Sequence, residues 1–440
     1  MSGSPQAPSF AQAVRFWLWL GCVSFGGPAG QIAIMHQELV EKRRWISERR
    51  YLHALNYCML LPGPEAQQLA TYVGWLLHGV KGGIAAGALF VLPSLFILIA
   101  LSWIYLAWGD LPAVASVLYG IKPAVIAIVL FAAWRIGSRA LKNAVLWGIA
   151  VAAFVAIFVL RLPFPAIVLG AGLLGMLGGR FLPDSFRTGG AYAAAAAGPH
   201  APAVIDDDTP APAHARFRWG RFLRYLAIGL VLWGGTLGAL WAAFGWPGVL
   251  TQMGWFFTKA ALLTFGGAYA ALPYVYQSAV EHYQWLSATQ MIDGLALGET
   301  TPGPLIMVVA FVGFVGAWNV QLFGPEAMAL AGIAGACVAT FYTFLPSFLF
   351  ILLGGPLVET THGDLKFTAP LTAITAAVVG VILNLALFFA WHVLWPAGFG
   401  GAFEWPALAI GAAAFIALWR FKIGVIPVIG ACGLAGAALA

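Results

Sequence analysis

Two Pro-Gly-Pro motifs are the parts of this chain best suited to chemistry. The first is followed directly by a carboxylate, in Pro62-Gly63-Pro64-Glu65, and the second is Pro302-Gly303-Pro304. Proline has no N–H and clashes with the preceding helical turn, so two prolines around a glycine predict a break in a helix. A broken helix presents unpaired backbone N–H groups and the positive end of its dipole, which suit an anion. Both motifs are therefore candidate anion sites.

Glycine pairs upstream of each motif predict two further breaks. They lie in Phe25-Gly26-Gly27 and Phe265-Gly266-Gly267, and glycine lets a backbone approach a ligand closely in a left-handed conformation. Neighbouring hydroxyl and amide side chains could add hydrogen-bond donors. The candidate substrate-binding residues are Ser24, Gly26, Gly27, Gln31, Pro62, Gly63, Pro64, Gln68, Thr264, Gly266, Gly267, Pro302, Gly303 and Pro304. Tight packing of helices is the alternative explanation for the glycines.

The composition is that of a polytopic helical membrane protein. Hydrophobic residues make up 61% of the 440 residues and charged residues 9%, whereas a soluble domain carries about 25% charged residues. Four uncharged runs, 83–109, 225–246, 328–358 and 367–403, reach or exceed the ~20 residues that span a bilayer. The net charge of +6 fits membrane topology, so we expect a lipid bilayer and no nucleic acid as a partner.

Three charged residues near the predicted breaks are candidates for coupling or for charge stabilisation. Glu65 is the only carboxylate between residues 51 and 80, and a carboxylate at membrane depth is costly unless it takes up a proton or pairs with a cation. Its position in the second motif is occupied by Leu305, and Glu299, three residues before that motif, is its nearest counterpart. Lys259 could attract an anion, or its long side chain could reach the membrane interface. A structural charge at a helix start is the alternative role for Glu65.

No catalytic residue, metal site or cofactor is predicted. The four cysteines are isolated, and neither they nor the histidines have metal-ligand spacing. No nucleophile-elbow, His-Glu-x-x-His or Walker A signature occurs in the sequence. These observations argue against an enzyme and against ATP hydrolysis by this chain.

A shift of 240 residues superimposes the second set of motifs on the first. Residues 25–64 align with 265–304 without a gap and share 12 of 40 positions. We expect two homologous halves, 1–182 and 219–440, joined by a cytoplasmic linker, 183–218. The linker is rich in alanine and proline and holds an aspartate triplet, so we expect it to be solvated and disordered.

Basic residues indicate that the two halves face opposite ways. Five of them lie within residues 42–50, whereas the matching stretch 276–290 has no Lys or Arg, and cytoplasmic loops are rich in both. A path with re-entrant, broken helices at the Gly-Gly and Pro-Gly-Pro motifs places 19 of the 22 basic residues in the cytoplasm. The predicted fold is an all-α polytopic membrane protein with about 13 hydrophobic segments, arranged as an inverted repeat.

The combined motifs resemble the chromate ion transporter (CHR) family in its long, two-domain form. The resemblance rests on Phe25-Gly26-Gly27-Pro28 with Gln31, on Pro62-Gly63-Pro64-Glu65 with Gln68, and on the matching region 264–304 of the second half. It implies a multi-pass protein of the bacterial inner membrane that exports chromate from the cytoplasm. It also implies that the proton motive force drives export, that protons and chromate are the partners, and that the protein confers chromate resistance.

Other functions are compatible with the same motifs. Sulfate is a tetrahedral dianion of similar size, so a transporter of sulfate or a related oxyanion would carry them too. An anion channel could share the architecture. A membrane-embedded chromate reductase is a third alternative, against which the isolated cysteines argue. A homo-oligomer is also left open.

Overall fold

The chain folds into helices joined by short turns. The structure, a computed structural model, describes residues 6–439 except for 26, 110, 187–201, 208, 211, 266 and 360–367. The helices are α1 (Phe10–Val23), α2 (Gly27–His36), α3 (Glu48–Leu60), α4 (Glu65–Trp108), α5 (Pro112–Ala140), α6 (Ala144–Phe158), α7 (Phe164–Phe181), α8 (Pro183–Phe186), α9 (Trp219–Phe244), α10 (Val249–Leu263), α11 (Ala268–Tyr276), α12 (Ala288–Thr300), α13 (Val308–Asn319), α14 (Met328–Val358), α15 (Thr368–Leu394), α16 (Trp405–Trp419) and α17 (Val425–Leu439). Within the described ranges the only β pairing is a single bridge between Ile46 and Ile205.

The apolar helices confirm the polytopic membrane class. Among the described residues, six helices are long and apolar enough to cross a bilayer, namely α4, α5, α7, α9, α14 and α15. Five shorter apolar segments of 10–17 residues accompany them. The number of hydrophobic segments, about 13, and their arrangement in the membrane stay predictions.

The helices break at both Pro-Gly-Pro motifs, as the sequence predicts. Helix α3 ends at Leu60 and α4 begins at Glu65, and α12 ends at Thr300 before a 3₁₀ turn begins at Leu305. Gly63 has φ 119° and Gly303 has φ 98°, values that glycine adopts at little cost and other residues do not. Breaks also separate α1 from α2 and α10 from α11, where Gly27 and Gly267 have positive φ.

The second half repeats the elements of the first at the spacing of the sequence motifs. The π-helical turns Gln37–Lys42 and Gln277–His282 lie 240 residues apart, as do α3 and α12. Even an unusual backbone conformation recurs, because Arg44 and its counterpart Gln284 both have φ 53°. Helix α9 has no counterpart in the first half and lies between the two sets of elements.

Helix α4 is bent so sharply at His78 and Gly79 that its two parts form a hairpin turn. The φ and ψ of both residues are non-helical there. His214 bonds to the carbonyl of Trp75, just before the bend, and the nearby Thr209 carbonyl accepts a hydrogen bond from Arg50 in the first turn of α3. Thr209 and the nearby His214 thus contact the start of α3 and the bend of α4, respectively. The start of α3 and the end of the first part of α4 therefore lie at the same end of the molecule.

The two halves interlock through their later helices. Helix α5 of the first half packs against α16 and α17 of the second, and α15 packs against α6 and α7. Glycines allow the close approach: a side chain on Gly120 would collide with the backbone of Cys432, and one on Gly380 with that of Ala150. Each half therefore packs helices against the other, and these contacts hold the two halves together.

The expectation of a disordered linker is wrong for its second part. Ile205 is 4% exposed and pairs with Ile46, and Ala215 is fully buried. The Ser47 hydroxyl donates to the Asp207 carboxylate. These apolar and polar contacts dock residues 202–218, as far as they are described, onto the loop before α3. Residues 187–201 and Asp208 of the aspartate triplet lie outside the described residues.

Candidate functional site

The four helix breaks meet at one place between the halves. The Gly63 N–H donates to the Thr264 carbonyl at 2.7 Å, and the Gly303 N–H donates to the Ser24 carbonyl at 2.8 Å. Each Pro-Gly-Pro motif is thus bonded to the residue before the Phe-Gly-Gly of the other half. We call the region around Ser24, Gly63, Thr264 and Gly303 the central site.

Two glutamines hold the carbonyls of the breaks. The Gln31 side-chain amide donates to the carbonyl oxygens of Gly303 and Ser24, and that of Gln68 donates to the Pro62 carbonyl at 2.8 Å. The Ser24 hydroxyl and the side-chain oxygens of both glutamines are buried and have no hydrogen-bond partner among the described residues. Because unpaired buried polar atoms are costly, these atoms mark a place where a polar ligand would be stabilised. The Ser24 hydroxyl can donate a hydrogen bond to an anion, whereas the two amide oxygens accept only from a ligand that carries a proton.

Glu65 faces the central site from the first turn of α4. One of its carboxylate oxygens lies 3.9 Å from the position that a Cβ on Gly267 would take. The carboxylate is partly exposed and forms no hydrogen bond or ion pair with the described residues. It is therefore available to a proton or to a ligand that enters between the two halves.

The other two charged candidates differ in position. Glu299, in the last turn of α12, accepts a hydrogen bond from the Tyr269 hydroxyl at 2.7 Å, which places it beside the break between α10 and α11. The Lys259 ammonium lies 5.7 Å from the centre of the Trp255 ring on its own helix. Within the described part of the chain no hydrogen bond or ion pair joins Lys259 to the breaks, so the structure does not bring it into the central site.

The remaining candidates lie at the same breaks. Pro62 and Pro64 flank Gly63, Pro302 and Pro304 flank Gly303, and Gly27 begins α2. Gly26 and Gly266 lie outside the described residues. No group of three His, Cys, Asp or Glu that could hold a metal ion occurs among the residues described.

Two serines at the central site did not stand out in the sequence as binding residues. Ser347 approaches Gly63 and the Gln68 amide, and Ser94 approaches Gly303. They follow Pro93 and Pro346, which occupy matching places in the two halves. The sequence signal for these serines is a hydroxyl residue directly after a proline inside an apolar helix. This proline–serine pair occurs at the matching place in each half.

Two polar clusters lie at opposite ends of the paired helices α4 and α14. At the end of α14, Glu359 accepts hydrogen bonds from Arg50 of α3 and from the Tyr72 hydroxyl. Near the end of α4, the Tyr105 hydroxyl donates to Asp293 of α12 at 2.9 Å. The end of α14 also lies beside the bend of α4, where the second part of α4 begins, because Gly355 contacts Trp75. The second part of α4 and α14 therefore run antiparallel.

Comparison with known protein families matches residues 11–176 and 251–437 to the family described as Chromate transporter. The chain belongs to the chromate transporter family. The two matched segments cover both halves and omit the linker and α9, so every residue of the central site lies within them. The recognition made from the motifs is confirmed.

Three curated relatives of this chromate transporter family member align with most of its length. A chromate transport protein of Cupriavidus metallidurans is 32% identical over 87% of this chain and 84% of its own. A chromate transport protein of Pseudomonas aeruginosa is 32% identical over 98% of this chain and 93% of its own. A probable chromate transport protein of Synechococcus elongatus is 28% identical over 94% and 91%. No solved structure matches the chain significantly.

Proposed function

We propose that this chromate transporter is a secondary active transporter that exports chromate from the bacterial cytoplasm, driven by the proton motive force. The observation that carries the proposal is the meeting of four helix breaks, where the Gly63 and Gly303 N–H groups bond reciprocally across the halves. Those two N–H groups are occupied by carbonyls, so such breaks would offer an anion their helix dipoles and the Ser24 hydroxyl at the middle of a membrane. Export of this kind would confer chromate resistance.

The electrical driving force favours export of a dianion. Moving one charge across 100 mV is worth about 2.3 kcal/mol, so a dianion leaving a negative interior gains roughly twice that. A proton that enters in exchange moves positive charge toward the negative interior, so it adds to this term and also contributes the pH gradient. Glu65 is the proposed coupling residue, because its carboxylate faces the central site without a partner among the described residues.

The same proposal includes an inverted repeat that works by alternating access. Its support is the antiparallel course of the second part of α4 and α14, with Arg50 and Glu359 together at one end and Tyr105 and Asp293 at the other. Lys and Arg concentrate at the Arg50 end, which we assign to the cytoplasm, and the opposite end to the outside of the inner membrane. One half would rock against the other around the central site.

Everted membrane vesicles test the transport function. Energised vesicles are expected to accumulate labelled chromate, and an uncoupler should abolish the accumulation. Vesicles from cells without the protein are the control. Accumulation of sulfate but not chromate would show that the substrate is sulfate. A chromate accumulation ratio that never exceeds the value set by the membrane potential would indicate an anion channel.

Impermeant thiol labelling tests the inverted repeat. Lys42 and His282 occupy equivalent exposed positions in the two halves, so Lys42→Cys and His282→Cys form a matched pair. With Cys22 and Cys337 replaced by serine, we expect labelling of Lys42→Cys from the cytoplasmic side and of His282→Cys from the outside. Labelling of both from one side would contradict the inverted arrangement while leaving chromate transport itself untouched.

A further inference from the structure

A buried charge pair lies between α12 and α5, toward the end of the molecule assigned to the outside. Asp293 is 2% exposed, and its Oδ2 lies 3.7 Å from the Lys122 ammonium and accepts a hydrogen bond from Tyr105. The other oxygen, Oδ1, is buried and has no hydrogen-bond partner in the described part of the chain. The Lys122 side chain is 26% exposed, so a solute can reach the cation while the carboxylate stays covered.

The helices packed around Asp293 bring few other titratable groups. Helix α4 contributes Tyr105 and α5 contributes Lys122, whereas α13 and the 3₁₀ turn before it have none. Helices α15 and α17 carry His392 and Cys432, and in the described structure neither forms a hydrogen bond or ion pair with Asp293. Among the described residues, Lys122 is the cation that pairs with Asp293, whereas Arg135, also on α5, interacts with Glu299.

Only the second half carries carboxylates at two particular positions of this helix. Asp293 and Glu299 are six residues apart on α12, which is about 9 Å along a helix axis, and Glu299 lies next to the break. The equivalent positions on α3 are His53 and Met59. Two acidic groups thus lie at successive depths along α12, between the outer end and the central site, in one half of the repeat.

We infer that Asp293 exchanges a proton with the outside and that its protonation releases Lys122 to bind the departing dianion. The inference rests on the proposed export of a dianion in exchange for protons. A proton taken from the outer solution onto Asp293 neutralises the carboxylate and leaves the Lys122 cation without its counter-charge. Because an unpaired cation in a low-dielectric setting is costly, the cation then favours an anion. Loss of the proton toward the interior restores the ion pair with Lys122, and this releases the dianion to the outside.

Binding of external chromate measures this exchange directly. In right-side-out vesicles preloaded with labelled chromate, external chromate slows net efflux, and its apparent affinity reports the outward-facing site. In the unsubstituted protein we expect this affinity to rise as the outer solution is acidified, by up to about tenfold per pH unit for one linked proton. Asp293→Asn should hold the high affinity at every outer pH, and Lys122→Gln should hold the low affinity.

Two further variants make the test decisive. The double variant Asp293→Asn/Lys122→Gln leaves no unpaired buried charge, so it should fold even where a single variant does not, and it should show low affinity without pH dependence. Glu404→Gln is the matched control, because Glu404 also accepts a hydrogen bond from a tyrosine, Tyr119 of α5, but lies at the start of α16. It should keep the original pH profile, because it leaves the Asp293–Lys122 pair intact. The pH effect of chromate's own protonation is common to all variants and is subtracted from each profile. A double variant or Asp293→Asn variant with the original pH response would overturn the inference, whereas absence of chromate efflux from the unsubstituted protein would overturn the transport function instead.

Discussion

Replacing Gly63 by alanine is expected to abolish chromate transport, and replacing Gly303 should have nearly the same effect. An alanine Cβ at position 63 would lie 2.6 Å from the Ser347 hydroxyl oxygen and 2.8 Å from the Gln68 amide nitrogen. At position 303 it would lie 3.0 Å from the Ser94 Cβ. The positive φ of both residues adds backbone strain that no movement of a neighbouring side chain relieves.

The size of the effect follows from what these glycines position. Their N–H groups bond the Pro-Gly-Pro break of one half to the other half, so a displaced backbone would separate the breaks that form the central site. A misplacement of about 1 Å in a binding geometry can cost about a hundredfold in rate, and we expect a loss of that order. Initial rates of chromate uptake into everted vesicles, normalised to protein abundance, provide the measurement.

Other glycines of the chain supply graded controls. Gly27 and Gly267 share the positive φ, but a Cβ on either meets open space or only the distant Glu65 carboxylate. Alanine at these positions should therefore cost backbone strain of about 1–2 kcal/mol without a collision. Gly234 on α9 has neither feature, and its alanine variant should transport normally. Equal rates for the Gly63 and Gly234 variants would contradict the role of the first break.

Sequence reasoning could predict the breaks because their causes are local. Proline removes a backbone donor and glycine permits a positive φ in any surroundings. Pro62-Gly63-Pro64 and its repeat therefore predict a helix break from the motif alone. The helical membrane class and the repeated order of elements likewise follow from composition and from motif spacing. These properties need no knowledge of what packs against what.

The partners of the breaks could not be predicted, because they come from the other half of the chain. Nothing near Gly63 in the sequence indicates that Thr264 accepts its hydrogen bond, and Lys122 gives no sign that Asp293 is its counter-ion. The docking of Ile205 onto Ile46 was missed for a related reason. Composition describes the linker as a whole, whereas one buried side chain is enough to order a short stretch of it.

Replacing Glu65 by glutamine should remove the effect of the pH gradient on transport while leaving the effect of the membrane potential. Glutamine keeps the shape of the side chain but cannot take up or release a proton. With the potential clamped at zero and the vesicle lumen acid, the unsubstituted transporter should accumulate chromate by about tenfold per pH unit for each coupled proton. The Glu65→Gln variant should reach no accumulation under those conditions. When a potential alone is imposed, both should move chromate, because the charge of the dianion is unchanged.

A second glutamate distinguishes coupling from a structural charge at a helix start. Glu326 also lies in the first turn of a helical segment, but it is exposed and far along the chain from either break. If Glu65 only stabilises the start of α4, then Glu65→Gln and Glu326→Gln should behave alike and keep the response to the pH gradient. Coupling through Glu65 requires that only its variant loses that response, because only its carboxylate faces the central site across from Gly267. The paired measurement thus tests whether the coupled proton passes through Glu65, at the place where the four breaks meet.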